Sequence, residues 1–108
     1  MTKLDRPIIT DETLFLIIDG KDCPTLKNFY ENIGEQLQFP DYFAFNLDSF
    51  DELMNDLSWI DEPQIILLIV NFELFLGQEE KEKLKAITQI LDNAILENDF
   101  IHFEWFYK

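Results

Sequence analysis

Ile65-Ile66-Leu67-Leu68-Ile69-Val70 is the longest aliphatic run in the chain. Six residues are far too few to span a bilayer, which needs about 20 in a helix. A short apolar run without alternation reads instead as a strand buried on both faces. A second run of this kind lies upstream, Leu14-Phe15-Leu16-Ile17-Ile18, ended by the turn signal Asp19-Gly20. Near the end of the chain, Phe100 to Phe106 alternates more loosely and reads as a third strand.

The segments between these strands carry helical periodicity. Thr25 is placed to cap a helix in which Leu26, Phe29, Ile33 and Leu37 recur at helical spacing, with Glu31 and Glu35 on the surface. Phe39-Pro40 stops it, because the residue before proline avoids the α region. Asn46 caps a second helix, Leu47 to Trp59. Asn71 caps a short helical turn, Phe72 to Leu76, ended by Gly77, and Glu79 to Glu97 is a long helix with Leu84, Ile87, Leu91, Ala94 and Ile95 on one side. Short apolar strands joined by helical crossovers predict an α/β fold, a small three-stranded parallel sheet covered by about four helices.

The 108 residues suit a single domain, and 47% apolar content with 11 Phe is ample for a core. No repeat or linker interrupts the chain. Residues 1–12 read as an N-terminal extension ahead of the fold. The segment Met1 to Thr13 carries Lys3, Asp5, Arg6, Asp11 and Glu12, so it is not a signal peptide. A lone cysteine, Cys23, forms no internal disulfide and fits a reducing compartment. The expectation is a soluble cytoplasmic protein, with a monomer favoured.

Eight Lys and Arg against 22 Asp and Glu give a net charge of −14. This balance argues against binding nucleic acid, where phosphates require cations, and against docking on an anionic membrane. It favours a basic partner. The charge is also unevenly placed. From Asn28 to Glu80 there is no Lys or Arg, while that stretch holds 12 carboxylates. An ordinary solvated surface mixes signs, since like charges at i,i+4 repel.

The second helix concentrates this feature. On a wheel of about 100° per residue, Glu52, Asn55 and Asp56 fall close to Asp48, and Asp51 lies at the margin. Phe50, Leu53, Met54 and Leu57 fall opposite, toward a core. Asp48 also sits in the first turn, where the helix dipole favours negative charge. Just upstream, Tyr42, Phe43 and Phe45 place aromatics beside carboxylates at the loop-to-helix junction, a composition suited to a protein interface. Core packing is the competing reading for all three rings.

The segment Phe39-Pro40-Asp41-Tyr42-Phe43-Ala44-Phe45-Asn46-Leu47-Asp48-Ser49-Phe50 resembles the barstar family signature, in which proline, two aromatics, Asn and Asp open the inhibitory helix. The order of elements from residue 14 to 106 is similar to that family as well. The resemblance implies one barstar-like domain and an inhibitor or immunity protein that binds a basic ribonuclease or toxin domain, such as barnase, at its active site. It also implies that Tyr42, Asn46, Asp48 and Glu52 lie where the family's contact residues lie, with Glu52 the carboxylate that enters the enzyme's phosphate site. Phe43, Asp51 and Asp56 complete the candidate partner-binding set. An Arg-rich phosphate pocket accepts a carboxylate in charge-assisted, often bidentate, hydrogen bonds. Ala44 stands where the family usually has Gly, Phe45 replaces a typically polar residue, and Glu52 is one methylene longer than the common Asp. A contact carboxylate of the family's last helix falls at Asn93, with Asp92 beside it. These departures bear on the identity of the partner more than on the fold.

Other classes fit less well. An enzyme could use Asp48 and Glu52 as an acid–base pair, yet one His (His102, in a strand), one Cys and no phosphate loop or nucleophile motif leave little catalytic machinery. No catalytic residue and no cofactor are expected. The carboxylates of a regular helix point outward without a wrapping loop, so no metal site is expected either. A DNA-mimic or general acidic adaptor is the alternative to an inhibitor.

Overall fold

The computed structural model describes residues 8, 9 and 12–108 of the chain. Within them, β2 (Thr13–Asp19), β3 (Gln64–Val70) and β4 (His102–Tyr107) form the expected parallel sheet, in the order β2-β3-β4. Leu16 pairs with Leu67 and Leu67 with Trp105, which fixes one register across all three strands. A short strand β1 (Ile8–Ile9) adds antiparallel to the free edge of β2, so part of the predicted extension belongs to the sheet. The rest of that extension lies outside the described residues.

Three α-helices connect the strands: α1 (Leu26–Leu37), α2 (Leu47–Asp56) and α3 (Lys81–Glu97). The predicted fourth helix at Phe72 is a single 3-10 turn, Phe72–Leu74, and the count of about four is corrected to three α-helices among the described residues. A second 3-10 turn, Gly20–Asp22, packs beside it. A side chain at Gly20 would run into the backbone carbonyl of Asn71, which is why the close approach of the two turns requires glycine there.

The helices pack on one face of the sheet. Leu14, Leu16, Ile18, Ile65, Leu67, Ile69 and Phe103 are buried on that side, against Phe29, Ile33, Leu37, Phe50, Leu53, Met54, Ile87 and Leu91. The alternate strand residues Phe15, Ile17, Ile66, Leu68 and Val70 are half-buried, and Phe106 beside them is exposed. The prediction that β3 is buried on both faces is therefore corrected. The apolar run reflects one helix-covered face and one face shielded mainly by neighbouring side chains.

Local chemistry accounts for the element ends. The Thr25 hydroxyl accepts from the Asn28 N–H, capping α1 as predicted. The helix ends at Leu37, with Gln38 in the left-handed region at φ 54° and the Phe39 N–H on the Gly34 carbonyl at 2.8 Å. Helix α2 stops at Asp56, three residues short of the predicted Trp59. Leu57 is left-handed there at φ 51° and fully buried, while the Trp59 indole N–H turns back to the Leu37 carbonyl at 2.8 Å. Helix α3 starts two residues late because Glu79 is used elsewhere: its carboxylate accepts the Leu26 N–H at 2.8 Å, satisfying a donor in the first turn of α1. On α3, Ile90 is buried where Ile95 was expected, and Ile95 is 42% exposed. Asn71 is itself left-handed, and its side-chain amide donates to Asp19 in place of capping a helix. β4 begins at His102, so Phe100 stays outside the strand and exposed.

Candidate functional site

The candidate surface is built around the start of α2. Pro40 and Phe43 close a turn, with the Phe43 N–H on the Pro40 carbonyl at 3.1 Å. Asn46 is extended (φ −140°, ψ 169°), and its side-chain oxygen accepts the Ser49 N–H at 2.8 Å. This is an N-cap as the sequence predicts. The Ser49 hydroxyl oxygen accepts in turn from the Ala44 N–H at 3.1 Å, so loop and first helical turn hold each other. Behind them, Phe50, Leu53 and Met54 anchor α2 in the core, which leaves the opposite side of the helix outward.

Asp48, Glu52 and Asp56 are exposed and follow one another at i,i+4, so they form a row along that outward side. Asp51 is half-buried, and its carboxylate accepts the Asn55 amide at 3.3 Å. Asp56 accepts the Ser58 hydroxyl at 3.0 Å just past the helix end. At the other end of the row, Asn46 is exposed and Tyr42 is 69% exposed. Phe43 is placed differently from its neighbours. It is 9% exposed and packs edge-on against Tyr30 and Phe39 at 5.3 and 5.0 Å, so its ring supports the surface from behind. On α3, Asp92 and Asn93 are both exposed, and Asp92 accepts the Trp105 indole N–H at 2.8 Å. His102 lies in β4 with its ring nitrogen 3.0 Å from Glu104.

Phe45 is the residue that sequence reasoning undervalued. Its φ is 53°, in the left-handed region, where a residue with a Cβ is disfavoured by about 1–2 kcal/mol. Bulky residues are rare there. The residue is 51% exposed, its ring resting on Phe43 at 5.0 Å and against Tyr30 at 6.2 Å. Ring pairs of this kind contribute about 0.5–1.5 kcal/mol each, so they offset the strain without burying the side chain. The departure from a polar residue at Phe45 was visible in the sequence, but its backbone conformation carries no sequence signal, since neither glycine nor asparagine marks it.

Beside Phe45, a cavity of about 690 Å³ opens between the starts of α1, α2 and α3. Leu26, Leu47, Tyr30 and Phe45 supply apolar wall. Tyr30 itself is almost fully buried, and its hydroxyl has no hydrogen-bond partner among the described residues. Burial, with the Glu79 charge adding to it, pushes this phenol up to about 12.

Among the described residues no group of three or more His, Cys, Asp or Glu side chains is arranged to hold a metal ion. No helix of these residues is long and apolar enough to cross a membrane. What the arrangement offers chemically is acceptor density: outward carboxylates on a capped helix, next to an exposed phenol and a displayed ring.

The fold is thus a three-stranded parallel sheet with helices on one face, which presents an acidic helix behind an aromatic loop. The chain belongs to the barstar family: the model of that family, described as barstar (barnase inhibitor), matches residues 13–108. A similar protein is the "Putative ribonuclease inhibitor YrdF" of Bacillus subtilis (strain 168), 32% identical over 77 residues, which cover 68% of this chain and 81% of that one. The family description thus names an inhibitor of barnase, and the name of the Bacillus subtilis protein an inhibitor of a ribonuclease.

Proposed function

We propose that the chain inhibits a basic ribonuclease, or a toxin domain with a comparable active site, by laying the Asp48–Glu52–Asp56 side of α2 over the enzyme's phosphate-binding cations. The observation that carries this reading is the row itself. Three like charges stand at i,i+4 on the exposed side of a helix, in a stretch of 53 residues without a Lys or Arg. Each i,i+4 repulsion works against the helix by a few tenths of a kcal/mol. An arrangement that opposes folding is the usual mark of a surface kept for binding.

Glu52 sits centrally in the row and enters the cationic pocket, where its two oxygens accept from Arg or Lys in place of a substrate phosphate. Asp48 and Asp56 flank it, Asn46 and Tyr42 extend the contact over the loop, and Asp51 adds charge at the margin. Phe43 holds the loop in shape. The charge of −14 steers the two proteins together before contact. In a cell the chain would act as a cytoplasmic immunity protein, protecting RNA from its own or a neighbour's nuclease.

The test compares two variants by barnase inhibition and by urea denaturation. Glu52→Gln is expected to keep or slightly raise the denaturation midpoint and to weaken inhibition by about 2 kcal/mol or more, because enzyme cations are left buried and underpaired. The barnase–barstar pair is the standard example of such contacts, so this figure is taken over from charged hot spots generally and is not worked from this surface. Glu31→Gln, on exposed α1 surface, is expected to change neither. Inhibition that ignores Glu52→Gln but responds to Glu31→Gln would place the binding surface on the wrong helix.

A further inference from the structure

We infer that Phe45 is a specificity-determining contact: it forms one wall of a socket, next to the acidic row, that receives a neutral apolar or aromatic side chain of the bound ribonuclease. The inference rests on the reading of the α2 surface as the inhibitory face and adds to it a part that is not electrostatic.

Three observations lead to it. The first is conformational. Phe45 holds a left-handed backbone that glycine or asparagine would adopt with less strain, and it is an exposed residue. A residue present only to finish the core would have no reason to be both strained and displayed. The second is position. Phe45 directly precedes the cap Asn46, and both line the 690 Å³ cavity together with Asp48, so the cavity is continuous with the proposed inhibitory face. A partner side chain lying in it would sit beside the carboxylate row.

The third observation selects the occupant. Leu26 on α1, Leu47 on α2 and the Tyr30 and Phe45 rings make the walls apolar. The remaining lining is of mixed sign: Lys27 from α1 and Lys83 from α3, against Asp48 from α2. An arginine of the partner would meet two lysines, and a carboxylate, though drawn to those lysines, would lie against Asp48 and leave the apolar walls without apolar contact. A neutral ring or aliphatic chain avoids both and buries its surface on Phe45, with ring stacking available if it is aromatic. The chain would thus recognise a surface with cations at its centre and an apolar group at the edge that faces α1. Charge would set the speed of encounter, and this socket would separate one basic ribonuclease from another.

The experiment measures binding of catalytically inactive barnase to the full chain and its variants by titration calorimetry, alongside urea denaturation of each variant. Phe45→Asn is expected to leave the denaturation midpoint close to wild type, since lost ring contacts and relieved strain oppose each other, and to weaken binding about tenfold or more. Phe45→Tyr, which keeps the ring, is expected to bind within a few-fold of wild type. Should Phe45→Asn fail to fold, Phe45→Gly removes the strain outright and is read the same way. If Phe45→Asn or Phe45→Gly binds like wild type while Glu52→Gln is weakened, the socket is wrong and the inhibitory face stands. If neither Phe45→Asn nor Glu52→Gln weakens binding, the inhibitory face falls and the socket with it.

Discussion

Removing the Asn46 cap should loosen the very turn that carries Asp48. In the structure the Asn46 side-chain oxygen accepts the Ser49 N–H at 2.8 Å, and the Ser49 hydroxyl accepts the Ala44 N–H at 3.1 Å. Asn46→Ala deletes the first bond directly and frees Ser49 to let go of the loop. Asn46 is exposed, so water can replace the lost acceptor and the cost stays in the ordinary range for a cap, about 1 kcal/mol. For a domain of this size that corresponds to a fall in Tm of about 4–5 °C. Asn46→Ser keeps a short side-chain acceptor and should recover most of it. The measurement is urea denaturation of the three proteins, read as a change in midpoint at constant slope. Barnase binding should weaken further in Asn46→Ala than in Asn46→Ser, because the Asp48 carboxylate is then presented from a frayed turn. An Asn46→Ala midpoint equal to wild type would refute the reasoning, since it would mean that packing of Phe50 and Leu53 alone fixes the start of α2.

Two further outcomes follow from charge. The association rate with barnase should fall steeply as salt is raised, while the dissociation rate changes much less, as stopped-flow at several ionic strengths would show; a salt-independent association rate removes steering from the account. The Tyr30 phenol, at about 12 in the folded chain against 10.0 unperturbed, makes the fold sensitive to alkali. Below pH 10 it is protonated in both states and contributes no difference. Between about pH 10 and 12 the unfolded chain ionises first and stability drains away, by about 2 kcal/mol near the top of that window. Tyr30→Phe should remove that share, seen as a flatter dependence of the urea midpoint on pH; an unchanged slope would show that other groups account for it.

Much of this molecule is legible in its sequence, and the illegible parts share a cause. Thr25 and Asn46 announce their helices because a short acceptor before an amphipathic run has one dominant use. The acidic row is legible because i,i+4 spacing is preserved in any helix. The end of α2 is not. Leu57 continues the pattern of Phe50, Leu53 and Met54, so apolar spacing predicts helix, yet the backbone turns left-handed there without glycine or proline to mark it. Gln38, Phe45 and Leu76 do the same, whereas none of the glycines has positive φ. At these positions the residue type does not mark the left-handed backbone. The one-sided burial of β3 is invisible for another reason: an aliphatic chain half-shielded by its neighbours and one fully enclosed have the same composition. Glu79 shows a third kind of limit. Its spacing fits the start of α3, but its partner, the Leu26 N–H, lies 53 residues away in the chain.

The two tryptophans give the molecule its own optical reporters, each watching a different region. Trp59 is half-buried at the junction of α1 and α2, with its indole on the Leu37 carbonyl and its ring edge-on to Phe39 at 6.0 Å. Its emission should follow the packing of those helices. Trp105 donates to the Asp92 carboxylate on α3, next to Asn93, and shares its surroundings with Tyr107 at 5.8 Å. A cation arriving at Asp92 competes for the acceptor that the indole is using, so Trp105 fluorescence senses the α3 side of the surface directly. With Trp59→Phe the remaining signal belongs to that site alone, and whether α3 takes part in the complex becomes a question that a cuvette can answer without a label.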